Sequence, residues 1–228
     1  MYQLRTPVLV INFKNYTNLQ GKGSLELAKS AQHAAKLTNS NIVVAPPTPC
    51  LYFVSKSVDI PILAQHADAE KDEASTGKFP IFSLRANGAV GTILNHSERR
   101  LDMQTLSNSI QQLRELGLLS LVCTQDNLSA KEVAKFHPDA IAIEPPELIG
   151  TGRAVSKVSP AIVEEGVKSV KSVDPSIKVL CGAGITSADD VKAAVLLGAE
   201  GVLVASAVAK AESPREKIIE LARSMLTY

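Results

Sequence analysis

Eight short apolar runs recur along the chain, each continuous in polarity rather than alternating. They are Val8–Phe13, Ile42–Ala45, Ile62–Gln65, Val90–Leu94, Leu119–Cys123, Ala140–Ile143, Lys178–Cys181 and Gly201–Val204. A strand that is apolar at successive positions has to be covered on both faces, which is the mark of a parallel sheet flanked by helices. Between the runs lie helix-patterned stretches with recognisable starts. Ser24 precedes Leu25, Leu27, Ala28 and Ala31, and Ser129 has Glu132 three places on, a capping-box spacing. Ser159-Pro160 and Ser213-Pro214 place proline at a first helical position, and Ser187 precedes Asp189 and Asp190 near another helix start. No linker, low-complexity tract or shift in composition divides the chain, so residues 1–228 read as one domain. Eight strand–helix units in such a chain point to an α/β fold in which the strands close into a (β/α)8 barrel. An open doubly wound sheet has the same periodicity and stays as the alternative.

Composition narrows the partners. With no tryptophan and 4% aromatic residues, Ala, Val, Ile and Leu must fill the interior, as tightly packed helix–sheet layers require. Twenty-four Lys and Arg against 23 Asp and Glu, with no basic run, disfavour nucleic acid or an anionic membrane as the main partner. The longest apolar runs are too short to span a membrane, and Val8–Ile11 before Asn12 does not make a signal peptide. Cys50, Cys123 and Cys181 are an odd number without metal-type spacing. They read as reduced, partly buried thiols, which implies a cytoplasmic setting. The least regular stretch, Ala67–Pro80, carries Glu70-Lys-Asp-Glu73 and reads as a solvated or partner-docking loop.

In a barrel of this kind the reacting groups lie at the C-terminal ends of the strands. The first strand ends in Asn12-Phe-Lys14, and the period-two rule puts Asn12 and Lys14 on one side of an extended chain, a possible clamp for an oxyanion. The fourth ends in Asn95-His-Ser-Glu-Arg-Arg100. There His96 would face unpaired N–H groups of a helical turn, which favour a neutral imidazole able to polarise a carbonyl. His33, His66 and His137 read as structural. The sixth strand climbs to Glu144, followed by Pro145-Pro and the glycine-rich Ile149-Gly-Thr-Gly152. A carboxylate there is either a structural partner of a nearby cation or a base beside an anion cradle. Strands seven and eight end in Cys181-Gly-Ala-Gly-Ile-Thr-Ser187 and Val204-Ala-Ser206, small residues that let backbone N–H groups approach phosphate. Gly182-Ala-Gly184 is not a dinucleotide fingerprint, because Ser187 stands at the third glycine position and no acidic residue ends the next strand.

Taken together, Asn12-Phe-Lys14, Asn95-His-Ser-Glu-Arg-Arg100, Ile143-Glu-Pro145, Ile149-Gly-Thr-Gly152 and Gly182-Ala-Gly184 resemble the triosephosphate isomerase family, in its order and over essentially the whole chain. Pro145-Pro-Glu-Leu148 and Cys181-Gly-Ala-Gly184, together with the short length, are similar to the compact archaeal branch. The resemblance implies a TIM barrel that interconverts dihydroxyacetone phosphate and D-glyceraldehyde 3-phosphate, in glycolysis and gluconeogenesis, with neither cofactor nor metal. It implies Glu144 as the base, His96 as the electrophile, Lys14 as a positive charge and Asn12 as an orienting group. Asn12 and Lys14 would also bind substrate, with Ile149, Gly150, Gly182, Gly184, Ala205 and Ser206 around it. A lid over roughly Pro145–Lys157 and a homo-oligomer, dimer or tetramer, with Ala67–Thr76 reaching into the partner, are also implied. Two rivals remain: another phosphate-binding barrel enzyme, or a catalytically silent barrel that serves as a binding protein.

Overall fold

The computed structural model describes residues 2–145, 148, 154 and 159–225. Eight parallel strands run β1 (Val8–Asn12), β2 (Asn41–Ala45), β3 (Leu63–Ala64), β4 (Gly91–Leu94), β5 (Leu119–Thr124), β6 (Ala140–Ile143), β7 (Lys178–Cys181) and β8 (Gly201–Val204). Their order in the sheet is β2-β1-β8-β7-β6-β5-β4-β3. The remaining seam is closed by a parallel bridge between Val44 and Ile62, where the Val44 N–H donates to Pro61 O at 3.2 Å. The sheet is therefore a barrel, not the open alternative, and a chain of this topology is a (β/α)8 barrel.

The helices are α1 (Lys22–Thr38), α2 (Leu51–Ser55), α3 (Met103–Glu115), α4 (Asn127–Ala134), α5 (Pro160–Val173), α6 (Ala188–Leu196), α7 (Ser206–Ala209) and α8 (Pro214–Ser224). Side-chain alternation along each strand divides the interior in two. Val8, Val10, Ala140 and Ala142 belong to a cluster inside the barrel with Leu63, Ile93 and Leu121. Leu9, Ile11, Ile141 and Ile143 face the helices instead. Both faces are dry, which is why the runs are apolar throughout. Each large aliphatic side chain buried this way contributes about 1.5–3 kcal/mol. Among the described residues, no helix is long and apolar enough to cross a membrane.

Several helix starts differ from the sequence reading. Ser24 lies inside α1, buried, with its hydroxyl donating to Leu19 O, while Gly21 precedes the helix. Ser129 is the third residue of α4, and Asp126 is the cap: its carboxylate accepts the Ser129 N–H at 2.7 Å. The box is real but shifted by three residues, because aspartate outcompetes the serine's shorter reach. Pro160 and Pro214 do open α5 and α8, but Ser159 and Ser213 make no capping bond. Ser187 caps α6 as expected, accepting from Asp190 N at 3.3 Å. The Ala67–Pro80 loop is clipped at its base, where Asp68 bridges Pro80 and accepts the Phe79 N–H at 2.8 Å. Its 71–74 stretch stays exposed.

Candidate active site

Eight of the expected site residues line one pocket at the C-terminal rim: Asn12, Lys14, His96, Glu144, Gly182, Gly184, Ala205 and Ser206. It opens to solvent at the rim, with polar and apolar groups both in its wall. Ile149 and Gly150, and with them most of the expected lid, lie outside the described residues. Ile185, Thr186 and Val204, from the expected ends of the seventh and eighth strands, complete the lining with Tyr16 and Leu203, whose residue types gave no signal.

Asn12 closes β1 on the same inward parity as Val8 and Val10, so the barrel interior delivers it to the rim. Lys14 arrives by a different route from the one expected. The strand ends at Asn12 and Lys14 has φ +48°, so the chain there is not extended. The two residues are held together instead by the Lys14 N–H, which donates to Asn12 Oδ1 at 2.9 Å. Gln65 fixes the turn by donating to Lys14 O at 2.8 Å and Ala45 O at 3.1 Å. The Lys14 ammonium pairs with Glu98 at 2.7 Å.

His96 follows Asn95, whose φ of +57° breaks the alternation of β4 and turns the imidazole into the pocket. Asn95 is pinned there by donating to Cys123 O at 2.9 Å and accepting the Leu101 N–H at 3.0 Å. The Glu98 N–H donates to His96 Nδ1 at 3.2 Å, which places the ring proton of a neutral imidazole on Nε2. Burial is the main cause that holds His96 below its ordinary pKa, aided by the Lys14 charge and opposed by Glu98. The neutral form anticipated from the sequence is thus favoured, chiefly by desolvation.

Glu144 continues the inward parity of Ala140 and Ala142 one step past β6, and its N–H still pairs with Thr124 O at 2.7 Å. Burial raises its carboxyl from the ordinary 4.5 to about 7, against the opposing pull of the Cys123 thiol, Lys14 and Arg100. Its Oε2 is buried without a hydrogen-bond partner among the described residues and stands 4.0 Å from His96 Nε2. Buried carboxylate oxygens are rarely left so. Among the described residues no Lys or Arg stands within ion-pair distance of this carboxylate. Cys123 was read only as a structural thiol. It is buried and in no disulfide, as are Cys50 and Cys181, but it lies against the Glu144 carboxyl.

Gly182 has a role beyond lining. A Cβ there would lie 2.5 Å from Glu144 Cγ and 3.1 Å from Oε1, so only glycine leaves the carboxylate its place. Gly184, at φ +72°, turns the chain at the opposite wall. Ala205 and Ser206 bring the start of α7 to that wall. Among the described residues, no three His, Cys, Asp or Glu side chains gather to hold a metal ion.

Comparison with known proteins agrees with this geometry. Residues 7–224 match the protein family described as triosephosphate isomerase. The triosephosphate isomerase of Pyrobaculum calidifontis is 47% identical over 223 residues, covering 98% of each chain. That of Methanothermobacter thermautotrophicus is 44% identical over 216 residues, covering 95% of this chain and 94% of its own. That of Methanobrevibacter smithii is 42% identical over 218 residues, covering 96% and 98%. With a buried carboxylate and a neutral imidazole facing each other across one barrel rim, and relatives of this kind along nearly its whole length, the chain belongs to the triosephosphate isomerase family.

Proposed function

We propose that the chain interconverts dihydroxyacetone phosphate and D-glyceraldehyde 3-phosphate by proton transfer through an enediolate, as a glycolytic and gluconeogenic enzyme. The observation that carries this reading is the buried Glu144 Oε2, without a hydrogen-bond partner among the described residues and facing His96 Nε2. A carboxylate base facing a neutral imidazole is the recognised arrangement of this family.

Glu144, ionised, removes a proton from the carbon beside the carbonyl and returns it to the neighbouring carbon. A carboxyl near pH 7 is well matched to that exchange: it is basic enough to accept the proton and acidic enough to give it back. His96 gives its Nε2 proton to the carbonyl oxygen as negative charge develops there and takes the proton of the neighbouring hydroxyl in its place, so that carbonyl and hydroxyl change places. Lys14 supplies a positive charge near the same oxygen, and Asn12 orients it. The phosphate sits against the backbone of Gly184 and of Ala205–Ser206. A positioned base accounts for roughly 10²–10⁴-fold acceleration. The remainder has to come from preorganised donors and charge at the pocket wall.

In this reading the catalyst needs neither metal nor cofactor, occupies a single barrel domain, and works as a cytoplasmic homo-oligomer, dimer or tetramer. Three buried cysteines that form no disulfide support a reducing compartment. The exposed 71–74 stretch of a loop clipped at its base supports a partner contact. A coupled assay started with either triose phosphate tests the activity, and sedimentation of the same sample tests the assembly. Failure of the purified chain to isomerise either substrate would overturn the reading.

A further inference from the structure

The loop from Gly182 to Ser187 borders the pocket through Gly182, Gly184, Ile185 and Thr186, yet the Thr186 hydroxyl is spent on a carboxylate of the protein. Ala183 and Ile185 are 1% and 4% exposed and pack into the layer between sheet and helices. What holds the loop is that carboxylate, on its far side. Asp190, only 4% exposed, accepts three bonds on a single oxygen: from Thr186 N at 3.0 Å, Thr186 Oγ1 at 3.0 Å and Ser187 N at 2.9 Å.

A helix cap asks for less. In the capping box of α6, Asp190 needs to answer only the Ser187 N–H, in return for the Ser187 hydroxyl that accepts its own N–H. The two bonds to Thr186 lie outside the helix and add nothing to the cap. From the other side, Lys217 of α8 donates to Thr186 O at 3.2 Å and to Glu220 at 2.7 Å, and Glu220 accepts the Ala188 N–H at 2.9 Å. The N–H, hydroxyl and carbonyl of Thr186 are therefore all engaged, and both peptide planes of that residue are set. Hydrogen bonds to an ionised group are stronger than neutral ones.

We infer that Asp190 is a positioning residue for the phosphate of the substrate: it fixes the Thr186 peptide so that the Gly184–Ile185 backbone faces the bound anion. The inference rests on the isomerase reading for the identity of the substrate, but not for the existence of an anion site. The physical logic is one of division. A buried negative charge near an anion is unfavourable by itself, so it is useful only if its bonds are spent on backbone groups turned away from the ligand. The groups turned toward the ligand are then held without having to reorganise when it binds.

The test uses Asp190→Ala, Asp190→Asn and Ser187→Ala in the full chain, with inorganic phosphate as the probe beside the triose phosphate. In Asp190→Ala the KM for triose phosphate and the inhibition constant of inorganic phosphate should both rise about tenfold, with kcat changing less. Asp190→Asn keeps an acceptor for the N–H groups and should recover part of that loss. Ser187→Ala weakens the cap alone, so it should lower the melting temperature and leave both constants within about twofold. A merely structural Asp190 predicts the opposite split: lower melting temperature, unchanged constants. That result in either Asp190 variant overturns the inference, and Asp190→Asn decides the matter if the alanine variant does not fold. If the wild-type chain isomerises nothing, the isomerase reading fails separately, and phosphate affinity measured by calorimetry still judges Asp190. Absence of phosphate binding by the wild-type chain would sink the inference itself.

Discussion

The rim of the barrel has two sectors built on opposite principles. At the ends of β1, β4 and β6 the site is made of side chains: Asn12, Lys14, His96 and Glu144, drawn from elements far apart in sequence. At the ends of β7 and β8 it is made of backbone, with Gly182, Gly184, Ala205 and Ser206 contributing little more than the absence of bulk. The first sector sets proton affinities by burial and charge. The second sets direction by conformation, and its charged groups, Asp190, Lys217 and Glu220, act from behind. Reaction chemistry needs specific atoms, whereas holding a phosphate needs oriented N–H groups that any residue possesses.

The two sectors should therefore fail differently when changed. The largest effect is expected for Glu144→Gln, which keeps the shape and removes the base: kcat should fall by about 10²–10⁴-fold while inorganic phosphate still competes. Near-normal turnover would remove Glu144 from its proposed role. Gly182→Ala tests where the boundary runs. Its new Cβ would displace the Glu144 side chain, so kcat should drop by up to about 100-fold, as misplacement of a reacting group by about 1 Å can cost. Phosphate inhibition should hardly move; a large loss there instead would assign Gly182 to the anion sector.

The proton sector should also respond to pH. With the Glu144 carboxyl near 7, kcat/KM should fall on the acid side by about tenfold per pH unit below that value, and an acid limb near 4.5 would contradict the burial argument. Stability follows the same group with a defined sign. Its folded value is raised above 4.5, so between 4.5 and about 7 the folded chain holds the extra proton. The stabilisation is complete below 4.5 and is lost as pH rises through about 7. At pH 8 Glu144→Gln should thus be more stable than the wild type, by on the order of 3 kcal/mol, and the gap should close toward pH 4.5. Denaturant unfolding at the two pH values checks it; a gap that does not change with pH counts against it.

The smallest effect belongs to the anion sector. Gly184→Ala places a side chain at φ +72°, a conformation that costs about 1–2 kcal/mol. KM should rise a few-fold and kcat should change less. A collapse of kcat with an unchanged KM would mean that the two sectors are not separable.

How far the site could be read in advance follows the same division. Asn12 and Glu144 were legible because each extends the inward parity of its own strand, Val8 and Val10 in one case and Ala140 and Ala142 in the other. His96 was legible by residue type but not by direction, since the parity of Ile93 would point it outward until Asn95 turns the chain. Lys14 reaches the pocket through a turn and not along an extended strand, so the period-two rule does not account for its place. The second use of Gly182 and the contact of Cys123 with the base left no local signal. Each is a distance between atoms that only packing brings near.

The sequence alone determined the alternation of dry strands and amphipathic helices, and with it the barrel family and the chemical types at the strand ends. That is because burial on two faces and the preference for particular donors and acids act residue by residue. Tertiary structure decided the rest: the closing bridge from Val44 to Ile62, the neutral Nε2–H tautomer of His96, the carboxyl of Glu144 raised to about 7, and the single oxygen of Asp190 that anchors Thr186. Closure, proton affinity and backbone direction are properties of surroundings. A linear chain has no surroundings until it is folded.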